Sequence, residues 1–193
     1  MSVRAPFDWV DLGYYKKSGR LPDSYPEILG TFWSGQDKVH ELIVDLLKYA
    51  SNSIVLNVYG YDLEDADEVI RAKMLDPHVY VQMSLDSSQA AGVHEKEILA
   101  KWPAGSVGTS IAIGQSVHHA ISHLKVCVVD GLYVMTGSTN WSLSGTDKQD
   151  NQLLLVRDAV VAHEYRTTMD INHSVMLAQM VGKGQLGRLL AKP

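Results

Sequence analysis

The stretch HLKVCVVD, residues 123–130, sets an imidazole and an ammonium two positions apart at the head of an apolar run that closes on Asp130. Seven residues after that aspartate comes GSTN, residues 137–140. A strand from His123 onward would put His123, Lys125, Cys127 and Val129 on one face and Leu124, Val126 and Val128 on the other. The DG pair at 130–131 marks a tight hairpin turn, which returns the chain beside the first strand and brings Ser138 and Asn140 toward the histidine. Imidazole, ammonium, hydroxyl and carboxamide then converge with no carboxylate among them. Lys125 supplies a point charge, Ser138 and Asn140 supply donors, and His123 can attack or pass a proton near neutral pH. Such a set suits an anionic, oxygen-rich ligand, and the chemistry it points to is phosphoryl transfer.

These residues need a scaffold. The segment SGQDKVHELIVDLLKYA carries Val39, Leu42, Ile43, Leu46, Leu47 and Ala50 at helical spacing, with Ser34 and Asp37 placed as a capping box. SIVLNVYGY (53–61) reads as a buried strand, DLEDADEVIRAKML as a helix with Ala66, Val69 and Ile70 inward, and HVYVQMSLD as a second strand. A helix around 89–102, strands around 107–113 and 132–137, the strand QLLLVRD and a long helix over 158–181 follow. Strands interleaved with helices imply an α/β domain: a mixed, largely parallel central sheet flanked by helices on both faces. Residues 1–33, rich in Pro, Gly and aromatics, read as an irregular arm. Residues 34–182 form the catalytic domain, and 183–193 a tail.

The spacing HxKxxxxD(x)6GSxN resembles the signature of the phospholipase D superfamily, with His123, Lys125, Asp130, Gly137, Ser138 and Asn140 in register. Residues 32 to about 157 are similar to that family's core, and the single copy of the motif matches its small endonuclease branch. The resemblance implies a phospholipase D-like fold and a metal-independent phosphodiesterase acting through a phosphohistidine, without a cofactor. One histidine attacks phosphorus and a second protonates the leaving oxygen. A chain with one such histidine is therefore expected to act as a homodimer with a composite site. In the family the aspartate matching Asp130 is chiefly a structural hydrogen-bonding residue, and a downstream carboxylate orients the histidine. Asp150, in QDNQ, is the nearest match here, one methylene shorter than the usual glutamate.

Around this catalytic set (His123, Lys125, Asp130, Ser138, Asn140, Asp150), several residues are candidates for substrate contact beside Lys125, Ser138 and Asn140. Tyr59 and Tyr61 end a strand at the carboxyl edge, where α/β sheets place ligands. Trp141 either stacks on a base or anchors the turn. His119, with His118, edges the groove or stands in solvent, and the lysine at 125 argues against a metal between these histidines. Cys127 reads as a core filler. The stretch DSSQAAGVHEKE is a candidate rim loop, and Lys16, Lys17 and Arg20 a modest basic cluster.

Composition narrows the partners. A formal charge of −5 and a pI near 5.9 give no global basic field for coating nucleic acid, while 46% apolar residues suffice for one core. A single cysteine excludes an internal disulfide, and no stretch has the apolar length of a membrane span, so a cytoplasmic protein is expected. DNA or RNA is the expected substrate. A phospholipid, cleaved or transferred, is the second reading, and a weakly active nucleic-acid-binding dimer the third.

Overall fold

A computed structural model describes residues 9–21 and 29–182. A 3-10 helix, Trp9–Tyr15, precedes seven strands and five α-helices: β1 (Leu29–Trp33), α1 (Val39–Tyr49), β2 (Ser53–Val58), α2 (Glu64–Met74), β3 (Tyr80–Asp86), α3 (Val93–Leu99), β4 (Ile111–Gly114), β5 (Lys125–Val129), β6 (Tyr133–Gly137), α4 (Leu143–Asp147), β7 (Gln152–Arg157) and α5 (Ala159–Gly182). The strands form one sheet in the order β1-β7-β6-β5-β2-β3-β4.

The α/β class and the mixed sheet are as the sequence implies, but the parallel share is smaller than expected. Only β2–β3 and β3–β4 pair in parallel. The other four pairings are antiparallel, because the chain after β4 reverses through the β5–β6 hairpin and returns without crossover helices. The hairpin turn itself has φ of 54° at Asp130 and 64° at Gly131, the left-handed pair a two-residue turn needs.

Helices cover both faces. On one, α1 buries Val39, Leu42, Ile43, Leu46 and Leu47 against Ile54, Leu56, Cys127, Val129 and Met135. On the other, α5 lays Ala162 and Met169 over Val55, Val126, Val128 and Val134. Alternation along β5 therefore runs as its sequence predicts, with burial of both faces supplying the hydrophobic stabilisation. Cys127 is a core filler whose thiol pKa is pushed up by burial.

Two local expectations are corrected. Residues 29–33, read as part of an irregular arm, form edge strand β1, paired with β7 from Leu29↔Val156 to Trp33↔Gln152. Ser34 does not cap α1: the helix begins at Val39 after Lys38, with no side-chain cap. Asp37 instead closes the preceding turn, accepting from the amides of Lys17 and Trp33 and from Lys16 Nζ. The polar stretch after GSTN contains the short helix α4, capped by Ser142 Oγ accepting from the Gly145 amide. The tail at 183–193 and, within the arm, residues 1–8 and 22–28 lie outside the described residues.

Asp130 follows the far end of β5, a strand about 13 Å long, whereas His123 precedes its near end. Its carboxylate accepts from the amides of Ser51, Asn52 and Ser53 at 2.7–3.1 Å and from Ser51 Oγ, fastening the start of β2 to the hairpin. This placement corrects its inclusion among the catalytic residues. Asp130→Asn keeps a residue that tolerates the left-handed turn but removes the charge. It should lower stability by about 1–2 kcal/mol in urea unfolding while the folded fraction keeps its full turnover. Lost turnover at unchanged stability would contradict the structural role.

Candidate active site

One edge of the sheet gathers the chemistry. Antiparallel pairing puts the amino end of β5 beside the carboxyl end of β2, with Val58 opposite Lys125. The carboxyl end of β6 lies beside the amino end of β7, with Gly137 opposite Leu153. His123, Lys125, Ser138, Asn140 and Tyr59 therefore all emerge at that edge.

His123 is exposed, and its ring stands 4.6 Å from the Tyr59 ring, tilted by 59°. The backbone fixes this pairing, since the Tyr59 amide donates to Leu124 O at 2.8 Å. Lys125 is only 6% exposed. Its ammonium lies 4.9 Å from the Tyr59 ring centroid and donates to His123 O at 3.1 Å. No carboxylate pairs with it among the described residues. Burial alone lowers its pKa from the ordinary lysine value, so the site holds a partly desolvated cation with only a carbonyl and an aromatic face for company.

Asn140 comes to the same place through Tyr59's neighbour. Gly60 O accepts from the Trp141 amide, and the Asp62 amide donates to Trp141 O, binding the GSTN turn to the end of β2. A Cβ at Gly60 would meet the Asn140 side chain at 3.3–3.4 Å, so glycine there permits the close approach. The Asn140 carbonyl oxygen is buried and has no hydrogen-bond partner. At Gly137 φ is +147°, and a Cβ would strike Gln152 O at 2.2 Å, which makes the glycine of the turn obligatory.

Ser138 faces a different neighbour from the one expected. Its hydroxyl donates to Asn151 Oδ1 at 3.0 Å and accepts from the Gln152 amide. Asn151 is held in turn by donating from Nδ2 to Gly145 O and Gln149 Oε1. Asp150, the sequence candidate for orienting His123, is exposed and makes no hydrogen bond or ion pair among the described residues. The turn into β7 directs Asn151 inward, so residue 150 points to solvent.

Two aromatic candidates are also corrected. Trp141 is 2% exposed and Tyr61 1%, both in the core, their rings 6.5 Å apart. The Tyr61 hydroxyl donates to buried Asp67, which also accepts from Trp102 Nε1 and Arg71 Nε. They anchor the turn rather than face a ligand. His118 and His119 are exposed on the 116–120 turn, away from any contact with His123.

Gln89, Asp86 and Ser122 support the site without being singled out by the sequence reading. Gln89 Nε2 donates to Tyr59 OH at 3.0 Å, so the proposed rim loop reaches the aromatic that touches His123. Asp86, fully buried, accepts from the Ser122 amide at 2.7 Å and from the Ser88 amide and hydroxyl, fastening the residue before His123 to the end of β3. Alternation in β3 could have marked Gln82, Ser84 and Asp86 as polar positions on one buried face.

A phospholipase D-like domain model of cardiolipin synthase matches residues 43–171, a span that includes every element of this site. The chain belongs to the phospholipase D superfamily. Membership supports an enzyme of the phosphodiesterase type at the level of the superfamily. It is 26% identical to a phospholipase D of Rickettsia typhi over 176 residues, covering 81% of each chain. It spans 59% of the Rickettsia bellii phospholipase D that it matches. A shorter stretch of 68 residues is 32% identical to the mitochondrial cardiolipin hydrolase of Xenopus laevis, covering 33% of this chain and 32% of that one. Among solved structures, the phospholipase D family member Nuc of Salmonella typhimurium shares the fold with a TM-score of 0.61 at 20% identity, over 75% of this chain and 92% of that one. NucT of Helicobacter pylori does so with 0.64 at 18%, over 75% and 94%.

The unpaired ammonium yields a stability test. Lys125→Met exchanges a desolvated charge for an apolar chain of similar length and should raise stability by about 1 kcal/mol, a gain of about 2–4 °C in melting temperature. Because the folded-state pKa of Lys125 is depressed, the wild type should gain stability as pH rises through that pKa toward the ordinary lysine value, and the variant should lack that gain. A destabilised variant would show that the ammonium is satisfied in the free protein.

Proposed function

We propose that this chain is a metal-independent endonuclease that cleaves DNA or RNA through a phosphohistidine, in a site completed by a second copy of itself. The observation that carries the reading is the buried Lys125 ammonium, with no carboxylate partner among the described residues, beside the exposed His123 and sharing the Tyr59 ring with it. An anionic phosphodiester oxygen is the missing partner, and binding it would restore the favourable environment that burial removed.

In the proposed reaction, a ring nitrogen of neutral His123 attacks phosphorus. As the N–P bond forms, the bond from phosphorus to the leaving oxygen breaks, and the protonated imidazole of the partner subunit's His123 gives that oxygen its proton. Water then attacks the phosphohistidine, passing a proton to the now neutral partner imidazole while the N–P bond breaks and His123 is released. Lys125 and the Asn140 amide, from both copies, neutralise charge on the equatorial oxygens. The exposure of His123 at the sheet edge supports this reading, since a ring meant to meet its symmetry mate must stand clear of its own chain. Tyr59 and Gln89 are positioning residues for the ring.

A phospholipid substrate is the second reading. It is favoured by an apolar groove of about 250 Å³ beside the site, lined by Leu124, Val126, Tyr165 and Met169, and by the similarity to phospholipase D and cardiolipin hydrolase sequences. No helix among the described residues is long and apolar enough to cross a membrane.

Incubation with single-stranded DNA, duplex DNA, RNA, phosphatidylcholine and cardiolipin under excess EDTA separates these readings. Nucleic-acid cleavage that survives chelation and falls at least about 10³-fold in His123→Ala is expected. Cleavage confined to lipid would support the second reading, and loss on chelation would remove the histidine mechanism.

The pH profile tests Lys125 separately. With its pKa lowered, kcat/KM should begin to fall on the alkaline side below the ordinary lysine range. Lys125→Arg, permanently charged, should lose activity overall but shift that alkaline limb upward. An unmoved limb would assign it to another group.

A further inference from the structure

A cleft of about 780 Å³ lies outside the site and is lined by Tyr14, Lys16, Lys17, Arg20 and Lys38, together with small and apolar residues of the same segment. Its cations come from two places. The segment after the 3-10 helix brings Lys16, Lys17 and Arg20. The turn leading into α1 brings Lys38, whose amide donates to Tyr15 O at 2.7 Å. Asp37 welds the two together, accepting from Lys16 Nζ and the Lys17 amide, and Lys16 Nζ also donates to Thr31 O. Two more carboxylates border the cleft: Glu41, which accepts from Tyr14 OH and lies 3.9 Å from Lys38 Nζ, and Asp45, which accepts from Tyr15 OH. Four cations thus gather at one cleft of a chain whose formal charge is −5.

Topology relates this cleft to the phosphoryl chemistry. Trp33, at the carboxyl end of β1, is opposite Gln152, and the Ser34 amide donates to Asn151 O beside Ser138. The turn bearing Lys38 therefore leaves the same sheet edge that carries His123. β1 and β5 are three strand spacings apart, about 14 Å.

We infer that the arm cleft, through Lys17 and Lys38 with Arg20, is a second phosphate-binding site that holds the backbone of a single-stranded polynucleotide a few nucleotides from the scissile bond. This rests on the proposed nucleic-acid substrate and adds to it a requirement for a polymer. The cleft gives a charge-poor protein a local electrostatic track instead of a global basic surface.

The test uses the full chain with Lys17→Gln and Lys38→Gln together, both exposed positions, and the charge-preserving pair Lys17→Arg and Lys38→Arg as a control for folding. Binding of a fluorescent single-stranded 20-mer is read by anisotropy across a salt series, alongside hydrolysis of bis(p-nitrophenyl) phosphate and binding to phosphatidylglycerol vesicles. Removal of two phosphate contacts should weaken oligonucleotide binding about tenfold and flatten the log Kd against log salt slope by about 1.4. Hydrolysis of the small diester and the behaviour of the arginine pair should match the wild type. Oligonucleotide binding and salt slope unchanged by the glutamine pair, or vesicle binding lost in their place, would overturn the inference, as would a wild type that binds no oligonucleotide. Arm-dependent binding without cleavage would uphold it and defeat the nuclease reading instead.

Discussion

An ammonium removed from water and given no counter-charge is the constraint on which the rest of the structure bears. Lys125 could have been solvated or paired with a carboxylate, as most buried lysines are; here its surroundings are a backbone carbonyl and the face of Tyr59. The free protein is less stable for it, a cost that an anion bound beside the ammonium would offset. The fold tolerates the arrangement because β5 is central in the sheet and apolar on both faces, so the stability it needs comes from elsewhere along the same strand.

Much of the remaining architecture keeps that cation beside His123 and Asn140. Asp130 ties one end of the β5–β6 hairpin to β2, and Asp86 ties the residue before His123 to β3. Gly60 and Gly137 remove side chains where two backbones and a carboxamide must meet. The carboxylates tied to this strand and its neighbours, Asp130 and Asp86, act on backbone amides and serine hydroxyls and not on the ammonium. A carboxylate nearer to Lys125 would neutralise it and compete with a phosphodiester.

The motif residues were legible because strand alternation and the DG turn leave little freedom in where HLK and GSTN can meet, and the burial of Val126 and Val128 opposite Cys127 and Val129 follows from the same period. Sequence reasoning was weaker where tertiary contacts choose between neighbours. Asp150 is the nearest match to the family's downstream carboxylate, yet the inward residue is Asn151, set by the turn that Gly145 and Gln149 anchor. Tyr61 and Trp141 carry polar atoms compatible with a groove, and only the buried Asp67 cluster and the bridge to Gly60 draw them into the core. β1 was missed because an edge strand of five residues, buried chiefly through Phe32, has almost no alternation to detect. The parallel share was overestimated because helices between the early strands say nothing about the hairpin that follows. Gln89 lay in a segment whose role depends wholly on where the loop after β3 folds back.

The most direct test of the account is to look for the covalent intermediate. Wild-type protein mixed with excess phosphodiester substrate in EDTA is quenched in base within the first turnover, digested, and the peptide containing residues 123–125 is weighed by mass spectrometry. The account predicts an acid-labile phosphoryl adduct on His123 that forms and decays at rates compatible with turnover. Steady cleavage with no adduct at any time, or an adduct on another residue, would contradict it.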